Sequence, residues 1–125
     1  MEAKVVSIDG NCIQVETAIG TFSGVWCDGE PIKNKNYILE LDCPEIISRQ
    51  QVLPAEENRF LICQSNGKTE LFGKVENVEG PVLVFRLKTA LVMIETTCPE
   101  TFYDCIGKFV CISLSKIDLY DTGII

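Results

Sequence analysis

Ala3-Lys4-Val5-Val6-Ser7-Ile8-Asp9-Gly10-Asn11-Cys12-Ile13-Gln14-Val15 is echoed seventy residues later by Gly73-Lys74-Val75-Glu76-Asn77-Val78-Glu79-Gly80-Pro81-Val82-Leu83-Val84-Phe85. Each stretch reads as a strand, an acid–Gly turn and a returning strand. The acid–Gly pair suits a tight hairpin turn, because glycine takes positive φ without steric cost. Two similar β units are therefore expected, and the echo extends outward from these hairpins.

In the first unit, Thr21–Trp26 reads as a third strand after Gly20, and Cys27–Pro31 as a loop by composition. Asn36–Asp42 follows as a strand with Tyr37, Leu39 and Leu41 on one face. The second unit opens on Arg59–Gln64 and the strong hairpin signal Asn66-Gly67. A long return strand, Thr69–Val78, carries Gly73 as a bulge or bend. Val82–Leu87, Ala90–Glu95, a loop from Thr96 to Gly107, and Phe109–Leu114 complete it. Val110, Ile112 and Leu114 share a face, as Tyr37, Leu39 and Leu41 do.

Between the units, only Glu45–Gln51 offers a helix, of two turns at most, because Pro54 stops anything longer. The expected fold is all-β and antiparallel with about nine or ten strands. It comprises two similar consecutive β-sheet or half-barrel units, 1–43 and 59–120. Residues 44–58 join them, with at most one short helical connection, in one compact domain spanning 1–125. A single mixed barrel is the alternative.

A chain of 125 residues buries roughly two-thirds of its unfolded surface, enough for a core without staples. With 46% hydrophobic and 23% charged residues, the composition is that of a folded globular protein. No apolar run reaches the ~20 residues of a membrane helix. Cysteines at 12, 27, 43, 63, 98, 105 and 111 follow no secretory leader, and several sit in apolar runs as small hydrophobes. A reducing, cytoplasmic location is expected.

The chain carries 18 acidic and 11 basic residues, a net charge of −7. That charge repels phosphate backbones and disfavours nucleic acid as a partner. Histidine is absent, which removes the commonest general base and zinc ligand. The cysteine spacings do not form a zinc knuckle, so neither a metal nor a cofactor is expected. Asp121-Thr122-Gly123 matches the aspartic-protease triplet but reads as an ordinary turn. Ser65–Lys68 and Ser113–Lys116 match Ser-x-x-Lys in extended chain, where the two side chains point apart.

Acids gather in loops beside aromatic residues, as in an interface rim with anchors. The candidate partner-binding residues are Trp26, Asp28, Glu30, Glu56, Glu57, Glu100, Tyr103, Asp104, Asp118, Tyr120 and Asp121. Trp26 and Phe102 equally suit plugs at the ends of a barrel. The reading that follows is a non-enzymatic cytoplasmic binding protein for a basic protein partner. An immunity protein neutralising a basic toxin, such as a nuclease, fits that chemistry. Two alternatives remain: an oligonucleotide-binding-type or small-ligand module using Phe60, Phe72, Lys74, Phe85, Arg86 and Lys88, or a structural oligomer subunit with Phe109–Leu114 as an exposed edge.

Overall fold

The computed structural model describes residues 1–124. Strands β1 (Glu2–Asp9), β2 (Cys12–Thr17), β3 (Gly20–Trp26) and β4 (Asn36–Asp42) form the first unit. Next come β5 (Val52–Pro54), β6 (Leu61–Ser65), β7 (Lys68–Glu79), β8 (Val82–Leu87), β9 (Ala90–Glu95) and β10 (Phe109–Leu114). The last strand, β11 (Asp118–Asp121), returns to the first unit. A closed barrel runs β1-β2-β3-β11-β4 and back to β1. The second sheet runs β5-β10-β7-β8-β9, with β6 paired to the first part of β7.

The repeat holds at the level of individual hydrogen bonds. β1 slips against β2 between Val5 and Ser7, and β7 slips against β8 between Val75 and Asn77. At these bulges the Val5 N–H donates to the Lys35 carbonyl (3.1 Å) and the Val75 N–H to that of Lys108 (3.0 Å). The return bonds run from the Asn34 N–H to Val5 O and from the Gly107 N–H to Val75 O, both 2.7 Å. Asn34 and Gly107 both have positive φ, which Asn and Gly tolerate best. The Trp26 N–H donates to Asn11 O and the Thr96 N–H to Pro81 O, both 2.8 Å.

The two units exchange their exits. β11 leaves the second unit and enters between β3 and β4, parallel to the former and antiparallel to the latter. Reciprocally, Ile47 leaves the first unit and bridges in parallel to Thr96 at the end of β9. The chain then pairs as β5 with β10. The connection 44–58 thus gives Ile47 and β5 to the second sheet, and β11 lies in the first barrel although Asp118–Tyr120 fall within 59–120.

One continuous core joins the units. It includes Val5, Ile13, Phe22, Leu39 and Leu119 from the barrel and Leu71, Phe85, Ile94, Phe102 and Ile112 from the second sheet. Each large apolar side chain buried there contributes roughly 1.5–3 kcal/mol. β6 crosses from one sheet to the other: it pairs with β7, and its Ile62 N–H donates to Ile19 O of the first unit (2.8 Å). Gly20, at φ +135°, makes this approach possible, since a Cβ there would overlap the Ile62 carbonyl.

Several local expectations change. Glu45–Gln51 holds only a 3-10 turn, Arg49–Gln51, because Ile47 is drawn into a β-bridge. The loop after β9 contains a second 3-10 segment, Pro99–Cys105, which buries Phe102 and Cys105. Gly73 is not the bulge: it is needed because a Cβ would overlap the Arg86 carbonyl, and the register shift falls after Val75. β10 is an interior strand, between β5 and β7, rather than an exposed edge.

Candidate functional site

Alternation along β4 and β11 sets out an acidic outer face. In β4, Tyr37, Leu39 and Leu41 point into the barrel, so Glu40 and Asp42 point out. In β11, Leu119 is buried, which turns Asp118 and Tyr120 outward. The antiparallel register places Asp118 opposite Asp42 and Tyr120 opposite Glu40. Like charges directly opposite across a ladder destabilise it.

Asp118 has a further distinction: its Oδ1 is buried and has no hydrogen-bond partner. Among the described residues, no Lys or Arg forms an ion pair with Asp42 or Asp118. The surroundings deepen the negative potential. The Cys43 thiol is pushed up to about 11, chiefly by burial and further by the charges of Glu45, Asp42 and Asp118. The hydrogen bond it donates to the Glu45 carbonyl (3.4 Å) works the other way. Hydrogen bonding with the Cys27 thiol, reinforced by nearby negative charge, pushes the Tyr120 phenol up as well.

The remaining expected site residues scatter. Trp26 is only 6% exposed and meets Tyr37 edge-on at 5.0 Å, while its Nε1–H donates to the Asp28 carbonyl (2.7 Å). It plugs the barrel end, and Asp28 and Glu30 lie exposed beyond it. Asp121 accepts a bond from the Gly123 N–H (2.9 Å), forming a turn after β11.

Glu56 and Glu57 line a groove of about 350 Å³ with Leu53, Arg59, Phe72 and Cys111. There Arg59 pairs with Glu57 at 3.8 Å and covers the Phe72 ring at 5.1 Å. The Cys111 thiol donates to Glu70 Oε2 (3.3 Å). Burial, then that carboxylate, pushes the thiol up to about 12. Pro54 separates this groove from a smaller one, about 170 Å³, lined by Arg49, Asp104, Lys108 and Phe109. Tyr103, 58% exposed, and Glu100 project from the 3-10 segment Pro99–Cys105.

The structure therefore brings Asp118 and Tyr120 together with Glu40 and Asp42, which are absent from the sequence-derived set. The alternation in Asn36–Asp42 carried their outward direction, but not the strand beside them. Among the described residues, no group of three or more His, Cys, Asp or Glu side chains is placed to hold a metal ion. No helix is long and apolar enough to cross a membrane. Compared with known proteins, the chain matches no family model, no curated protein and no solved structure.

Proposed function

We propose that this is a non-enzymatic binding protein that receives a basic segment of a protein partner on the outer face of β4 and β11. The observation that carries the reading is Asp118 directly opposite Asp42, with no Lys or Arg paired to either among the described residues. An uncompensated carboxylate pair lowers the stability of the free protein. A lysine or arginine from a partner, set against the two, supplies the opposite charge. Tyr120 beside them offers an amphipathic anchor, and the net charge of −7 steers basic partners toward the face.

Two of the thiols are unsuited to covalent chemistry. Cys43 and Cys111 both sit well above neutral pH, so each is held as the poorly nucleophilic thiol. All seven cysteines are free, in keeping with a reducing cytoplasmic setting. Neutralisation of a basic toxin such as a nuclease is the biological role this chemistry fits best, as an immunity or inhibitor protein.

The test is gentle purification of the full-length chain from its native host, with intact-complex mass measurement. The double variant Asp42→Lys/Asp118→Lys is carried in parallel. A stoichiometric basic protein bound to the wild type is expected, dissociating at about 0.5 M salt as screening shortens and absent from the variant. A bare wild-type protein at low salt, or the same partner held equally by the variant, refutes the reading.

A further inference from the structure

β9 has an edge open at Met93, where the corresponding position of the first unit is covered. In β3, the Val25 and Cys27 N–H groups point away from β2 and donate to Ile117 O and Leu119 O. Ser23, in the same alternation, is bracketed by the side-chain amide of Gln64 on β6. Its N–H donates to Gln64 Oε1 (3.2 Å) and its carbonyl accepts from Gln64 Nε2 (3.3 Å). The Ile19 carbonyl accepts from the Ile62 N–H of the same strand.

The repeat maps these positions onto Thr89, Met93, Glu95 and Thr97. Ile47 serves the last two: its N–H donates to Glu95 O (2.9 Å) and its carbonyl accepts from the Thr97 N–H (3.0 Å). Thr96 donates the opposite way, to Pro81, which confirms the alternation. Leu91 and Met93 consequently direct N–H and C=O to the open side. Among the described residues, nothing bonds to them there. Their side chains are 43% and 50% exposed. β4, the nearest strand of the other unit, already has β1 and β11 on its two edges.

A cleft of about 220 Å³ continues this edge, lined by Met1, Glu2, Ile19, Leu87, Lys88 and Thr89. It lies where a counterpart of β6 would sit, since Ile62 pairs with Leu71 and Leu71 corresponds to Met1. We propose that β9 and this cleft seat an extended segment of another polypeptide chain. That segment carries an apolar residue and, two positions on, a side-chain amide.

The internal template selects this occupant. Ile62 and Gln64 show how such a segment caps an otherwise open strand of this repeat, through main-chain and amide bonds. Here one main-chain bond, from the Ile62 N–H to Ile19 O, fixes the segment and the Gln64 amide supplies selectivity. One difference shapes the fit: Ala90 stands where Gly20 stands. An occupant cannot press on the β8–β9 turn as Ile62 presses on Gly20, and the cleft beside Leu87–Thr89 gives it room to lie farther out. The seat uses neither Asp42 nor Asp118 and does not depend on the function proposed for them.

The test titrates the isotope-labelled full-length protein with a synthetic peptide of the sequence of residues 58–66, carrying Cys63→Ser. Arg59 makes the peptide basic, complementary to the acidic chain. Saturable binding is expected, with slowed amide exchange at Met93, the counterpart of the Ser23 N–H that Gln64 covers. Gln64→Ala in the peptide is expected to weaken binding about thirtyfold, the value of two net hydrogen bonds. Met93→Pro in the protein removes an outward N–H and no bond of the β8–β9 ladder, and is expected to abolish saturable binding while circular dichroism stays unchanged. If that variant unfolds, Leu91→Lys serves the same purpose on the wild-type ladder. No binding up to about 1 mM, a range in which even weak main-chain recognition registers, overturns the proposal. So does protection at Ser23, which reports exchange with β6, or self-association that leaves Met93 exchanging freely.

Discussion

The first unit closes into a barrel and the second does not, although both are built from the same four-strand repeat and each receives the other's exit segment. In the barrel, β11 runs without interruption from its parallel contact with β3 to its antiparallel contact with β4. In the second sheet the equivalent path breaks between Ile47 and β5 at the 3-10 turn Arg49–Gln51. Arg49 spans the break. Its Nη1 donates to Val52 O (2.6 Å), its Nε to Thr101 O (3.3 Å), and its guanidinium lies 5.7 Å from the centre of the Phe102 ring. A small insertion therefore converts a closed barrel into a sheet that needs side chains to finish it.

Phe102 should be the most sensitive point of this difference. It is fully buried, and the 3-10 segment carrying it has no counterpart in the barrel. Phe102→Ala is expected to cost about 3–5 kcal/mol in urea unfolding. A loss below about 1 kcal/mol, the range of ordinary surface changes, means that the second sheet holds itself without the plug.

Gly20 and Ala90 occupy matching positions, yet only Gly20 has positive φ, and a Cβ at Gly20 would overlap the Ile62 carbonyl. Gly20→Ala should destabilise by about 3 kcal/mol through overlap and strain. Ala90→Gly should cost only about 0.5–1 kcal/mol of chain entropy. Equal effects at the two sites would break the asymmetry between the covered and open edges.

Arg49→Ala tests the bridge over the break. Losing two backbone contacts and a ring contact should cost about 1–2 kcal/mol, with faster exchange at β5 and little change in the barrel. Uniformly faster exchange across both units would show that Arg49 does not act locally.

Asp118→Asn works in the opposite direction. Removing one of two opposed carboxylates should stabilise by about 0.2–1 kcal/mol, measurable as a raised unfolding midpoint. A destabilised variant would mean that the Asp118 charge is compensated in the free protein, which would weaken the case for a basic partner.

The last effect shows only at alkaline pH. Cys43 and Cys111 have raised values in the folded state, so folding favours their protonated forms. Their contribution is fully present below the ordinary thiol value near 9 and is lost as pH rises toward about 11 and 12. Cys111→Ser should flatten the alkaline loss of stability relative to the wild type. An unchanged alkaline profile removes Cys111 from that account.

The sequence by itself determined the all-β class, most strand positions and the two-unit repeat. These follow from local rules: alternation sets which side chains are buried, and Asp9-Gly10, Asn66-Gly67 and Glu79-Gly80 set the turns. The alternation in β4 even carried the outward direction of Glu40 and Asp42. Tertiary structure alone decided which unit each exit segment joins. Val52–Pro54 and Asp118–Asp121 are too short to announce themselves as strands. They become strands because a partner edge in the other unit satisfies their backbone groups. The same pairing, between residues 76 positions apart, makes neighbours of Asp42 and Asp118. Hydrophobic periodicity reports which face a residue takes, and only the closed hydrogen-bond ladder reports what stands beside it.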